Sequence, residues 1–220
     1  MSVPLAHPLL AARGAEHGFG VRGAPEPSAL ARPRQVHGTA VARARGDGAE
    51  LGEADAVWSD APGAAVGIVT ADCVPILLAG DGARVAAAIH AGWRGLADGV
   101  IAATLDALRE AGVPPASLVA VVGPCIGLCC YEVDEPVLAR LRARFGAALD
   151  EHLVATRAGH ARVDLGGLAQ RELATSIPPA AVAALPDACT RCDERRFESY
   201  RRDGERAGRL LHWIRVRRRA

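Results

Sequence analysis

Residues 68–96 read IVTADCVPILLAGDGARVAAAIHAGWRGL, and this stretch decides the fold. Apolar, β-branched-rich runs at 64–69 and 74–79, and a third at 84–89 set off by Gly80, Asp81 and Gly82, have the length and bounding residues of buried strands. Asp72 and Cys73 fall at the junction of the first two, and His90 at the C-terminal end of the third, just before the Gly92-Trp93-Arg94-Gly95 turn. Strand ends are where α/β proteins place chemistry, because a rigid sheet fixes the groups and the loops leaving it are free to vary. A buried Cys alone is most often a small core residue, and a lone His most often structural. A carboxylate, a thiol and an imidazole emerging together from one sheet point instead to a site.

Working outward, residues 18–21 read as a strand, and the Pro-, Ala- and Gly-rich piece 23–33 as loop. His37 follows Arg34-Gln35-Val36 and precedes Gly38, at the edge of a short β segment over 39–42; residues 54–60, which include Asp55, read as a strand ending in a turn. Beyond His90, the spacing of Leu96, Val100, Ile101, Thr104, Leu105 and Leu108 predicts a helix that closes at Gly112 before Pro114 and Pro115. A strand over 117–122 runs into a Gly- and Pro-bearing loop. A second helix over 134–145 has Asp134 as its cap and an early Pro136, and a third starts near Asp164. Residues 209–216 alternate as a strand, and the basic end, 215–220, reads as a solvated tail. No repeat, long linker or low-complexity block divides the chain, so residues 1–220 are expected to form one α/β domain.

Composition sets the limits. Half of the 220 residues are hydrophobic, enough to bury one sizeable core. The 26 basic residues, all Arg, nearly balance 25 acidic ones; a net charge of +1 gives no field to draw in nucleic acid or an anionic membrane, which leaves small molecules as partners. The N-terminus lacks a basic leader and is broken by Pro4 and Pro8, and no uncharged apolar run reaches the ~18 residues of a spanning helix, so a soluble, cytoplasmic chain is expected. In that compartment six Cys are thiols, metal ligands or catalytic groups rather than a disulfide framework.

Seven motifs in one order carry a resemblance: RQVHG at 34–38, ADAVWSD at 54–60, TADCVPILL at 70–78, AIHAGWRG at 88–95, GPCIGLCCYEV at 123–133, DLGGLAQREL at 164–173 and CTRCDERRFESYRRDGERAGRL at 189–210. They resemble the YfiH or laccase-domain family, also called the multicopper polyphenol oxidase family and now regarded as purine nucleoside phosphorylases with adenosine deaminase activity. The resemblance covers nearly the whole chain from His17 onward. It implies a YfiH-like fold, a single α/β (α+β) domain with a mixed, two-layered β-sheet flanked by helices, and a monomer is expected. It also implies a Zn2+ held by His37, Cys73 and His90, three N/S ligands with one position left open as in catalytic zinc sites. The reaction implied is cleavage of adenosine, inosine or guanosine, with methylthioadenosine a further candidate, by phosphate to the free base and ribose 1-phosphate, with deamination of adenosine. Phosphorolysis needs a cationic cradle, for which Arg94 and Arg201 are the candidates, and a proton carrier, for which Asp72 beside Cys73 is the candidate. One departure stands out. Family members carry a longer segment between the Gly-Phe strand and QVHG, where this sequence has only His17 to Arg22 and a compressed loop.

Two other readings use the same residues. Cys73 with His90 or His37 as base, and Asp72 or Asp55 nearby, is also the residue set of a metal-independent cysteine hydrolase. Cys189 and Cys192 have CxxC spacing and could join Cys125, Cys129 or Cys130 in a structural zinc site, making a zinc-stapled domain without catalysis. A copper oxidase needs clustered His ligands, and the seven His are scattered.

Overall fold

A computed structural model describes residues 2–217. In chain order, α1 (Pro8–Ala11) and β1 (Glu16–Gly18) lead to β2 (Leu30–Ala31), β3 (Val41–Arg43), β4 (Ala56–Ser59), β5 (Ala65–Thr70), β6 (Val74–Ala79) and β7 (Ala86–Ala91). Helices α2 (Trp93–Asp98) and α3 (Val100–Glu110) precede β8 (Val119–Val122), β9 (Glu132–Asp134) and α4 (Glu135–Phe145). The order closes with β10 (Leu153–Arg157), β11 (His160–Val163), α5 (Leu165–Leu173), β12 (Val182–Ala184), α6 (Tyr200–Asp203) and β13 (Leu210–Arg215).

The central layer is a six-stranded mixed sheet of order β12-β8-β6-β7-β4-β3. Strands β6, β7, β8 and β4 pair antiparallel, while the flanking pairs β12–β8 and β3–β4 are parallel. A four-stranded sheet, β1-β13-β5-β2, covers one of its faces, and helices cover the other. Side chains on a strand alternate between faces, and β6 shows both. Ile76 and Leu78 join Leu96, Ile101, Leu105 and Leu168 under the helices, whereas Leu77 and Ala79 join Val66 and Ile68 of β5 and Ile214 of β13 between the sheets. A strand buried on both faces has no polar positions, which is why 74–79 reads as an unbroken apolar run. Each fully buried Leu or Ile contributes about 1.5–3 kcal/mol. Along β7, Ala86 and Ala88 face the small sheet, so the same two-residue period turns His90 that way too.

The α/β class and the mixed, two-layered sheet flanked by helices are as expected from the sequence, with local differences. The third strand lies two residues later than 84–89, so His90 sits inside its end. The predicted helix after it starts earlier, at Trp93, and breaks at Gly99, whose φ of 93° is left-handed and where a Cβ would lie 3.3 Å from the Arg144 guanidinium. Asp134 does stand at the N-cap of α4, but its side chain makes no capping hydrogen bond. A separate antiparallel sheet, β10-β11-β9, was not foreseen; β10 is exposed at four of its five positions and carries no apolar alternation to reveal it. Within the expected basic tail, Arg215 instead belongs to β13 and pairs with Glu16 at 2.9 Å, and the Arg217 N–H donates to Ala83 O; residues 218–220 lie outside the described residues.

His212 fastens the small sheet to the chain entering it. Buried on β13, it accepts the Gly20 N–H at Nδ1 (3.2 Å), which fixes the proton on Nε2, and donates from there to Thr70 Oγ1 at 2.9 Å. Burial, reinforced by the positive charge of His90, pushes its pKa down to about 3 from the ordinary 6.5. As pH falls, the unfolded chain takes the proton first. The contribution of His212 to stability is therefore full above about 6.5 and declines as pH drops toward about 3, by up to ~1.4 kcal/mol per pH unit. Urea denaturation between pH 7 and 4 should show this slope. His212→Gln should lose ~1–3 kcal/mol at pH 7 and flatten the slope, and an unchanged slope would assign it to other groups.

Candidate active site

The site is built on Asp55. This carboxylate is fully buried and accepts three consecutive backbone N–H groups, from Val36 (3.2 Å), His37 (2.9 Å) and Gly38 (2.7 Å). It also accepts His90 Nδ1 at 2.7 Å, and the Asp55 carbonyl takes the His90 N–H. The turn it holds passes through His37 at φ 61°, a left-handed conformation that costs a non-glycine residue about 1–3 kcal/mol. Burial opposes the charge on Asp55, but the bonds from His90 and from the Gly38 and Val36 amides hold its pKa below the usual carboxylate range. With Nδ1 committed to Asp55, His90 turns Nε2 toward the site.

Cys73 enters from the β5–β6 turn. His37 Nε2 lies 3.9 Å from its Sγ, the two imidazoles meet edge to face with centroids 4.7 Å apart, and the three potential ligand atoms of His37, Cys73 and His90 all lie within 4.8 Å of one another. Burial disfavours the Cys73 thiolate, yet hydrogen bonds and positive charge from His37 and His90 outweigh it and bring the thiol to about 6. Burial likewise disfavours charge on His90, and Asp55 and Cys73 raise it to about 9. Gly92 is required here by close approach: a Cβ would stand 2.9 Å from His37 Cδ2 and 3.1 Å from Cys73 Sγ.

Asp72 is buried at φ 90°. Its carboxylate accepts Thr190 Oγ1–H and the Arg201 N–H, both at 2.6 Å, and its carbonyl accepts the Ile126 N–H. It thereby joins the turn that carries Cys73 to the loops after β8 and before α6. Arg201 reaches Glu132 O with Nη1 and lies 5.1 Å over the Tyr131 ring, while Arg94 lies 4.5 Å over Trp93. Among the described residues neither guanidinium takes part in a salt bridge. Tyr131 senses the whole site: burial raises its pKa, the Cys73 and Asp72 charges add to this, and Arg201 and Arg94 offset part of it. A cleft of ≈ 380 Å³, within the size range of small-molecule sites, lies beside Arg201 and is lined by Trp93, Tyr131, Glu132, Val137 and His160 among others; its walls include neither His37, Cys73 and His90 nor Arg94.

The structure thus brings His37, Cys73 and His90 together, sets Asp72 behind Cys73 and places Arg94 and Arg201 around Tyr131. Sequence reasoning gave Asp55 only a minor part and missed Thr190 and Tyr131. The acid in ADAVWSD sits beside a strand, which was the available signal, but what it binds is set by pairing of β4 with β7. Cys125 stands apart from the other clustered thiols, packed against Gly166.

Residues 20–217 match the family described as multi-copper polyphenol oxidoreductase laccase. The chain belongs to that family. It is 41% identical over 185 residues to purine nucleoside phosphorylase PA4543 of Pseudomonas aeruginosa, covering 82% of this chain and 72% of that one. It is 35% identical over 196 residues to adenosine deaminase RL5 of an unknown prokaryotic organism, covering 84% and 74%. The crystal structure of YlmD from Geobacillus stearothermophilus superposes with a TM-score of 0.87 over 96% of this chain and 94% of that one at 24% identity, which establishes the shared fold. The resemblance read from the motifs is borne out. No helix among the described residues is long and apolar enough to cross a membrane.

Because Asp55 orients both the His37 turn and the His90 ring, its removal should be felt twice. Asp55→Ala should cost ~3–5 kcal/mol in denaturant unfolding, as expected when one partner of a buried pair is lost. The milder Asp55→Asn should weaken divalent-metal binding by His37, Cys73 and His90 about 10–100-fold in a competitive titration, and wild-type affinity in that variant would show that Asp55 does not set the ligands.

Proposed function

We propose that this protein is a zinc-dependent purine nucleoside phosphorylase that also deaminates adenosine. The observation that carries the reading is the clustering of two imidazoles and a thiol of lowered pKa in a chain 41% identical to a protein named purine nucleoside phosphorylase. The donor set suits the metal: two neutral imidazoles and a thiolate select a borderline-soft divalent ion, and three protein ligands leave a position for substrate. His37, Cys73 and His90 would hold it, and a divalent ion bound there supplies Lewis acidity to substrate and water.

The chain's own residues account for the rest. In phosphorolysis a phosphate oxygen bonds to ribose C1′ as the C1′–N9 bond breaks, and the purine leaves with that electron pair and takes up a proton, balanced by the proton that hydrogen phosphate gives up on becoming the ribose 1-phosphate dianion. Arg94, over the Trp93 ring, and Arg201, over the Tyr131 ring, are free of salt-bridge partners among the described residues and supply cationic donors for phosphate. Trp93 and Tyr131 contribute aromatic surface to the neighbouring cleft, each with an arginine stacked on its ring. Deamination replaces the C6 amino group by oxygen from water and releases ammonia. Asp72, with both carboxylate oxygens engaged, acts here by holding Arg201 and the Cys73 turn in place rather than by carrying the proton. Adenosine, inosine and guanosine, with methylthioadenosine, are the substrate class.

A specific observation favours a second reading. Cys73 at about 6, His90 at about 9 and Asp55 behind it form the thiolate, imidazolium and carboxylate of a cysteine hydrolase. The two readings part on metal. Purified protein incubated with adenosine and inosine, with and without phosphate, should release base only with phosphate, lose this on chelation and regain it with zinc. His37→Ala and Cys73→Ala should abolish it. Absence of turnover from metal-replete protein would overturn the phosphorylase reading, and full activity after chelation with a covalent adduct on Cys73 would establish the hydrolase.

Arg94→Ala should raise the KM for phosphate ~10–100-fold, the worth of a charged hydrogen bond, with a smaller change in that for nucleoside. An unchanged phosphate dependence would remove Arg94 from the site.

A further inference from the structure

Four of the remaining five cysteines form a second cluster. The Sγ atoms of Cys129, Cys130, Cys189 and Cys192 all lie within 4.8 Å of one another, with closest approaches of 3.3 Å (Cys130–Cys192), 3.5 Å (Cys129–Cys189) and 3.6 Å (Cys129–Cys192). Four thiolates about 2.3 Å from one tetrahedral zinc stand about 3.8 Å apart, so the sulfurs already approximate that shell. All four are free thiols. They come from two loops about 60 residues apart in sequence, joined by backbone pairing: an isolated parallel β-bridge between residues Cys125 and Cys189, and the Thr190 N–H donating to Cys125 O.

The surroundings fit a thiolate site. The Gly127 N–H donates to Cys189 Sγ at 3.3 Å, and the Arg191 guanidinium reaches Cys130 Sγ at 3.6 Å. Arg162 binds the Cys129 carbonyl. Zinc with four thiolates carries a net charge of −2, which these donors offset, and N–H to sulfur bonds fix ligand orientation.

We propose that Cys129, Cys130, Cys189 and Cys192 bind a structural zinc ion, distinct from the cluster of His37, Cys73 and His90. Four thiolates fill a tetrahedral ion, so this site has no open position and serves to clamp the loop after β8 to the loop before α6. Thr190, between two of the ligands, donates to Asp72, and the Arg202 guanidinium binds the Thr190 and Arg191 carbonyls. The clamp therefore braces, from behind, the turn that presents Cys73. The reading that set a zinc staple against a catalytic site becomes one in which the chain carries both.

Metal analysis of purified wild type, Cys73→Ala and Cys192→Ser separates the sites. The expected zinc contents are two per chain in wild type and one in each variant. Cobalt in the Cys73→Ala protein should give intense thiolate-to-metal charge transfer that disappears when Cys192→Ser is added. Cys192→His, which makes a Cys3His set, should retain the ion if Cys192→Ser fails to fold. One zinc in both wild type and Cys73→Ala, with none in Cys192→Ser, would uphold this site and sink the catalytic-metal reading. Zinc-free Cys73→Ala protein, iron in place of zinc, or disulfides among the four cysteines in the native mass spectrum would overturn the proposal.

Discussion

The buried carboxylate of Asp55 is the constraint on which the site depends. A charge at zero exposure is tolerated only when its lone pairs are filled, and three amides of one turn together with the His90 ring fill them. Charge-assisted bonds of about 1.5–3 kcal/mol each outweigh the strain of His37 at positive φ. The bonding is also informational. An imidazole whose Nδ1 is held offers only Nε2, and a turn held at three successive amides offers its side chain in one direction. A loop 18 residues upstream and a strand 35 residues downstream are thus brought to a common focus by one acid.

The opposite side of the focus is set by Asp72, which works by the same principle with a different result. Its carboxylate faces away from the ligands and toward Thr190 and the start of α6. The β5–β6 connection has only Ala71, Asp72 and Cys73 between its strands, and the positive φ of Asp72 lets it turn that tightly. Two adjacent residues therefore do different work: Cys73 looks into the site, and Asp72 ties it to the C-terminal third of the chain.

This division explains how much could be read in advance. The apolar runs of β5, β6 and β7 were visible because strands buried on both faces need no polar positions, and His37, Cys73 and His90 were visible because reactive residues interrupt those runs or adjoin a glycine. The β10-β11-β9 sheet was not, since its first strand is exposed and its pairing depends on partners far along the chain. The break at Gly99 was hidden because a single glycine in a helical pattern is normally tolerated. The part of Asp72 was hidden because its acceptors' partners, Thr190 and Arg201, lie more than 100 residues away.

The cysteines show why residue type alone leaves function open. Cys73 stands with two imidazoles, one of them fixed by an acid, and such a set is short of one ligand. Cys129, Cys130, Cys189 and Cys192 stand with each other and complete a shell. An ion with a free position can exchange water for substrate, while an ion without one can only hold the chain in place. Thr190, between Cys189 and Cys192, donates to the carboxylate of Asp72 next to Cys73, and so ties one cluster to the other. On the proposed two-metal reading, rigidity at the four-cysteine cluster would reach the turn that carries Cys73, where three donor atoms must keep their positions without a fourth to confine them.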